Sequence, residues 1–116
     1  MDVLMKRMVD LIHRHYDENL KLETLADVFT YSSAYLGKLF KNTMGCSFNT
    51  YLDTIRIEKA KELLDQGCKI HQAASSVGFS DVDYFREKFI AGISPSAYRR
   101  KEPEDAFFQK ALTKKD

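Results

Sequence analysis

Few side chains in this sequence are placed to make or break a covalent bond. His13, His15 and His71 come without the Ser, Cys or Asp partners that nucleophilic catalysis requires. Cys46 and Cys68 lie too far apart for a C-x-x-C metal or redox pair, and no glycine-rich phosphate loop is present. An enzyme is therefore not expected, nor a metal or other cofactor. What the sequence does offer is cationic side chains for noncovalent recognition of anions: Lys38, Lys41 and Arg86, and a run at Arg99, Arg100 and Lys101. Charged residues make up 30% of the chain, yet the formal net charge is only +1. A polyanionic partner would thus require the basic groups to be sorted onto one face.

The elements that must hold these cations all read as helices. The 116 residues suit one compact domain, and 44% hydrophobic residues suffice for a small core. Sustained alternation is absent. Val3, Met5, Met8, Val9, Leu11, Ile12 and Tyr16 recur at three and four, predicting a first amphipathic helix ended by Asp17-Glu18-Asn19. Leu22, Leu25, Ala26 and Phe29 mark a short second helix. Tyr31-Ser32-Ser33 reads as a turn whose Ser32 or Ser33 caps the third helix, with Gly45 as its stop. Ser47 caps a fourth, running to about Gln66 and closed by Gly67, with Tyr51, Leu52, Ile55, Ala60, Leu63 and Leu64 facing inward. Ile70 to Val77 forms a fifth, stopped at Gly78. Asp81 caps a sixth to about Ala91, and Ser94-Pro95 opens a seventh. The expected fold class is all-α.

The sequence repeats itself. Leu22-x-x-Leu25-Ala26 recurs as Ile70-x-x-Ala73-Ala74, and Tyr35-Leu36-x-x-x-Phe40 as Tyr84-Phe85-x-x-x-Phe89. Gly45-x-Ser47-x-x-x-Tyr51 recurs as Gly92-x-Ser94-x-x-x-Tyr98. Each copy is a short helix, a tight turn and a second helix, the helix-turn-helix layout, with Ala26 and Ala74 small enough for close packing and Gly78 where the turn calls for positive φ. The second copy is two residues shorter, since Phe89 precedes Gly92 by three positions and Phe40 precedes Gly45 by five. The expected plan is two helix-turn-helix units at about 20–45 and 70–91, joined by a linker helix at about 47–66, within a domain of residues 1–101, with 102–116 a tail. A linker of about 20 residues spans about 30 Å, close to the roughly 34–36 Å between successive major grooves on one side of DNA.

From about Val3 to Arg100 these residues resemble the DNA-binding domain of the AraC/XylS transcriptional regulators. The second half carries the more specific pattern: Ile70-x-x-x-Ala74-x-x-Val77-Gly78-Phe79-Ser80-Asp81-x-x-Tyr84-Phe85-x-x-x-Phe89, then Gly92-Ile93-Ser94-Pro95-x-x-Tyr98-Arg99. Tyr51-Leu52-x-x-x-Arg56-Ile57-x-x-Ala60-x-x-Leu63-Leu64 is similar to the family's linker helix. The resemblance implies a sequence-specific reader of double-stranded DNA whose third and sixth helices enter adjacent major grooves. It assigns base contacts to Ala34, Gly37 and Lys38 in the first unit and to Val82, Asp83, Arg86 and Glu87 in the second. Phosphate contacts fall to Lys41, Ser47, Arg99 and Arg100. Arg86 suits guanine O6 and N7, and Glu87, where a basic or polar residue is more usual, either accepts from cytosine N4 or repels phosphate. Gly37 has no side chain to extend, so the first unit is expected to read mainly through Lys38 and shape. The shortfall after Phe89 removes positions that often carry Lys in this family.

The resemblance further implies a sensor or receiver domain on the full-length protein and contact with RNA polymerase. Two free thiols and no apolar run of membrane-spanning length read as a cytoplasmic protein. Tyr35, Tyr84, Phe40, Phe85 and Phe89 are expected in the core, and Arg56 in a structural ion pair on the linker. Phe107, Phe108, Ala111 and Leu112 give the tail an amphipathic side suited to weak docking. The alternative function is a helical protein-interaction module on the same fold with weak or lost DNA reading, suggested by the near-zero charge, Gly37, Glu87 and the shortened second copy.

Overall fold

The computed structural model describes residues 2–91, and all regular structure within them is helical. Six helices follow in order: α1 (Val3–His15), α2 (Leu22–Phe29), α3 (Ser33–Met44), α4 (Phe48–Asp65), α5 (Ile70–Ser76) and α6 (Val82–Ala91). The predicted seventh helix and the tail lie outside the described residues.

Local chemistry fixes most of the boundaries. The carboxylate of Asp2 accepts from the Met5 amide and starts α1. Ser32, rather than Ser33, caps α3 by accepting from the Tyr35 amide, and Ser47 does the same for α4 through Thr50. Asp81 accepts from the amides of Asp83 and Tyr84 at the start of α6. Each such cap satisfies donors that have no partner within the helix. At the other ends, Gly45 follows α3 at φ +82° and Gly67 follows α4 at φ +96°, left-handed conformations that favour glycine.

Two cores form, one for each half. Met5, Met8 and Ile12 of α1 pack with Leu25, Ala26, Leu36, Phe40, Phe48, Leu52 and Ile55. Ile57, Ala60 and Leu64 pack with Ile70, Ala73, Ala74, Val77, Phe79, Phe85 and Phe89. The long helix α4 serves both, its first turns belonging to one core and its last to the other. It is consequently buried around much of its circumference, unlike the two-sided α1. Tyr16, just past α1, packs against both clusters and marks their junction.

Two expectations about the core need correction. Tyr35 and Tyr84 sit at helical spacing with the core residues but are 50% and 38% exposed. Their backbone positions lie on the flank of the buried stripe, and each phenol finds a different partner, described below. Val3 also lies outside: it opens α1 at 66% exposure, before the apolar stripe has anything to cover it.

Candidate nucleic-acid interface

On α3 the core takes Leu36 and Phe40, so the opposite side of the helix faces solvent. That side presents Ala34, Tyr35, Lys38, Lys41 and Asn42, all exposed. No Asp or Glu occurs in the helix, so its outer face is uniformly neutral or cationic. Tyr35 stacks on Tyr31 of the preceding turn, ring centroids 5.1 Å apart and planes 27° from parallel. Val28 of α2 and these two tyrosines are large hydrophobics left exposed in the first unit. Gly37 is placed differently from its expected role. A Cβ there would lie 3.2 Å from Leu22 Cδ2, so this position faces α2 and its missing side chain permits close packing.

The corresponding face of α6 carries the opposite character. Asp83, Glu87, Ile90 and Ala91 are exposed, Val82 and Arg86 only half so. Arg86 folds back along the helix: its Nη1 lies 3.6 Å from Asp83 Oδ1, while its Nε is buried without a hydrogen-bond partner. Lys88 lies over the ring of Tyr84, 5.3 Å from its centre. The second helix thus exposes two carboxylates and keeps its two cations close to the protein surface.

Ser47 is exposed at the start of α4, with its hydroxyl occupied by capping and by donation to Thr50 Oγ1. What it brings to an anion is its location, beside helix amides that have no partner within the helix. Arg99 and Arg100 lie outside the described residues.

Between the two units lies a polar seam that the residue pattern alone did not reveal. Asp53 and Arg56 of α4 are only 7% and 9% exposed. Arg56 Nε donates to the Tyr16 carbonyl at 2.6 Å and its Nη2 to the Glu18 carbonyl at 2.8 Å. The hydrogen bonds of Arg56 thus go to the C-cap carbonyl of α1, where a cation is electrostatically favoured, and to a carbonyl of the following turn, while the expected ionic partner is felt only as the nearby charge of Asp53. The guanidinium also lies over the Phe79 ring, 5.7 Å from its centre. Asp53 accepts from the Tyr84 hydroxyl at 2.5 Å. Burial raises the Asp53 carboxyl above its ordinary value, against the lowering effects of the Tyr84 hydrogen bond, Arg56 and Lys88. The Tyr84 phenol is pushed up to about 12 by burial first and then by the Asp53 carboxylate. A charged pair three residues apart, set among Leu52, Ile55 and Ile57, was the available signal for this seam.

Two histidines make structural contacts: His13 Nε2 of α1 meets the Tyr51 hydroxyl of α4 at 3.0 Å, and His15 pairs with Glu18. Among the described residues no group of three His, Cys, Asp or Glu could hold a metal ion, and no helix is long and apolar enough to cross a membrane.

A family model described as a helix-turn-helix domain matches residues 25–101. The chain is 38% identical over 100 residues to YijO, an HTH-type transcriptional regulator of Escherichia coli, covering 84% of this chain and 35% of that protein. It is 33% identical over 108 residues to the regulatory protein PocR of Salmonella typhimurium, covering 90% of this chain and 36% of that protein. The chain belongs to the AraC-type helix-turn-helix family. Solved structures agree with this assignment. The C-terminal domain of the two-component response regulator yesN from Fusobacterium nucleatum superposes with a TM-score of 0.69 at 34% identity, over 83% of this chain and 96% of that one. The C-terminal domain of AraT, a response regulator from Geobacillus stearothermophilus, gives 0.73 at 28% identity, over 94% of this chain and 86% of that one. This AraC-type chain is the DNA-binding domain of a transcriptional regulator. It spans about a third of the length of these two curated relatives.

Proposed function

We propose that this domain reads a specific duplex sequence by placing α3 and α6 in successive major grooves, α3 carrying the larger share of the affinity. The observation that supports this best is the outer face of α3, exposed and free of acid, with Lys38 and Lys41 on it. Base reading by the first unit falls to Lys38 and Ala34, with Gly37 setting how closely α3 lies against α2. In the second it falls to Val82, Asp83 and Arg86, with the Glu87 carboxylate beside them either accepting from a base amino group or repelling phosphate. Lys41 and the α4 terminus at Ser47 contact phosphates, as do Arg99 and Arg100. The 18 residues of α4 span about 27 Å, enough for one rigid element to carry two groove-reading helices.

The test is selection of bound duplexes of about 30 base pairs from a random pool at about 0.1 M salt, where phosphate-driven affinity still discriminates. Two enriched blocks about one helical turn apart are expected. A single enriched block would limit reading to one unit, and no enrichment would sink the proposal.

The acidic face of α6 supports a second reading, in which the second unit meets a basic protein surface and only the first reads DNA. RNA polymerase is one such partner, and the single-block outcome favours this reading. The full-length regulator is proposed to carry a sensor or receiver domain, in keeping with the response regulators whose C-terminal domains superpose on this chain.

A further inference from the structure

The two cores are separate, so the angle between the helix-turn-helix units depends on what crosses between them. Apolar packing crosses at α4 and at Tyr16, where it is non-directional and tolerates small rotations. Hydrogen bonds are directional and do not. They cross the junction in two places. Arg56 reaches from α4 to the carbonyls of Tyr16 and Glu18 on the first unit, while its guanidinium lies over Phe79 of the second. Tyr84, on α6 itself, turns its hydroxyl back to Asp53 on α4. Gly78 closes the arrangement. A Cβ there would sit 2.8 Å from the Tyr16 carbonyl oxygen and 2.9 Å from Arg56 Nε, so the turn before α6 rests directly on the end of α1.

We propose that Asp53, Arg56 and Tyr84 are positioning residues that set the angle between α3 and α6, and so the base-pair spacing the domain accepts between its two blocks. The proposal rests on the two-groove reading above. Tyr84 is the informative member because it stands on a groove-reading helix while its hydroxyl is committed to the linker. Removing that hydroxyl leaves the α6 side chains that face outward unchanged but frees the helix to rotate about its apolar contacts. Sites with altered spacing then bind better relative to the natural one, and neither block alone is affected.

The test compares the unaltered chain with Tyr84→Phe on four duplexes: the selected site, the same site with one base pair inserted or deleted between blocks, and a site with the second block scrambled. Tyr84→Phe keeps the ring against Phe79 and Lys88, so the fold is retained. The preference for natural over altered spacing is expected to fall by about fivefold or more, the lower end of measured coupling between sites. Affinity for the scrambled duplex should stay within about twofold. Asp53→Asn, which keeps an acceptor for the Tyr84 hydroxyl, should retain the spacing preference, and Asp53→Leu should lose it. A spacing preference unchanged in both Tyr84→Phe and Asp53→Leu overturns the positioning role while leaving two-groove reading intact. An unaltered chain indifferent to spacing overturns both.

Discussion

The two helix-turn-helix units repeat one backbone plan with different neighbours, and the differences show how the same residue type acquires separate duties. In both, the turn after the first short helix contains a residue at positive φ, Thr30 at +58° directly after α2 and Gly78 at +106° two residues past α5. In both, the next amide bonds to the carbonyl five residues back, Tyr31 to Ala26 and Phe79 to Ala74. The aromatic side chains at those positions then diverge. Tyr31 stays in solvent and stacks on Tyr35, while Phe79 is buried beneath Arg56 and beside Tyr84. Tyr35 and Tyr84 are equivalent in the repeat, yet one broadens an exposed recognition face and the other anchors its helix to the linker. The first unit is built to present a surface, and the second is also built to hold an angle. Charge follows the same division. Lys38 and Lys41 of α3 correspond to Glu87 and Ile90 of α6, so the first helix carries the bare cations.

The left-handed turns offer the strongest way to break the comparison. Thr30 is tolerated because its side chain is exposed and meets only the Phe29 carbonyl, to which its hydroxyl donates, so the intrinsic strain of a Cβ in that conformation, roughly 1–2 kcal/mol, is the main cost. Gly78 faces a carbonyl oxygen and a guanidinium too close for any Cβ. Gly78→Ala is expected to destabilise the fold by about 2–3 kcal/mol, since steric displacement adds to the backbone strain. Thr30→Gly should change stability by less than about 1 kcal/mol, because relief of strain offsets the added entropy of the unfolded chain. Urea denaturation of the two variants checks both values. Equal losses would mean that the seam does not constrain the second unit.

A smaller contrast separates the recognition faces. Lys38→Ala is expected to weaken binding to the selected site by about tenfold and to relax the preference at one position of the first block. Glu87→Gln should act in the opposite sense. Removing an exposed carboxylate near the phosphates should tighten binding by about twofold to threefold, equally for all sequences and less so as salt rises. Titration of matched and mismatched duplexes at two salt concentrations checks both. A loss of preference at one base pair in the Glu87 variant would instead assign that carboxylate to a cytosine amino group.

Much of the architecture was legible because it follows from short-range rules. Helix spacing, the caps at Ser32, Ser47 and Asp81, and the stops at Gly45 and Gly67 are all encoded within a few residues of where they act. The repeat then supplied the pairing of elements. Periodicity misplaced Tyr35 and Tyr84 because a residue on the flank of an apolar stripe is covered or bare according to what packs beside it, which spacing does not encode. The family resemblance put Gly37 on the recognition face without encoding what packs beside it. An absent side chain reads as a gap in a recognition face, whereas the geometry makes it a place where Leu22 approaches. The linker pattern gives Arg56 a structural role, but its partners are the carbonyls of Tyr16 and Glu18, 40 and 38 positions away and without any sequence signature. Main-chain acceptors are uniform along the chain, so only the fold selects which of them a buried cation meets.

The subtlest consequence of the seam concerns alkaline pH. The Tyr84 phenol is held protonated up to about 12 by burial, by its bond to the Asp53 carboxylate and by the nearby charge of Glu87, with Arg56 opposing. In the unfolded chain it ionises at an ordinary tyrosine value near 10. A group whose value is raised on folding contributes stability that is whole below the unfolded value and fades as pH climbs through the folded one. The stability advantage of the unaltered chain over Tyr84→Phe should therefore be constant up to about pH 10 and shrink between about 10 and 12. The effect is small because the ring is partly exposed and solvent screens the pair. Tyr35→Phe serves as the comparison, since the Tyr35 hydroxyl bonds to no described residue. Measured by urea titration across this range, a Tyr84 difference that stayed flat to pH 12 would detach the phenol from Asp53. The second unit would then lose its directional tie to the linker and come to resemble the first.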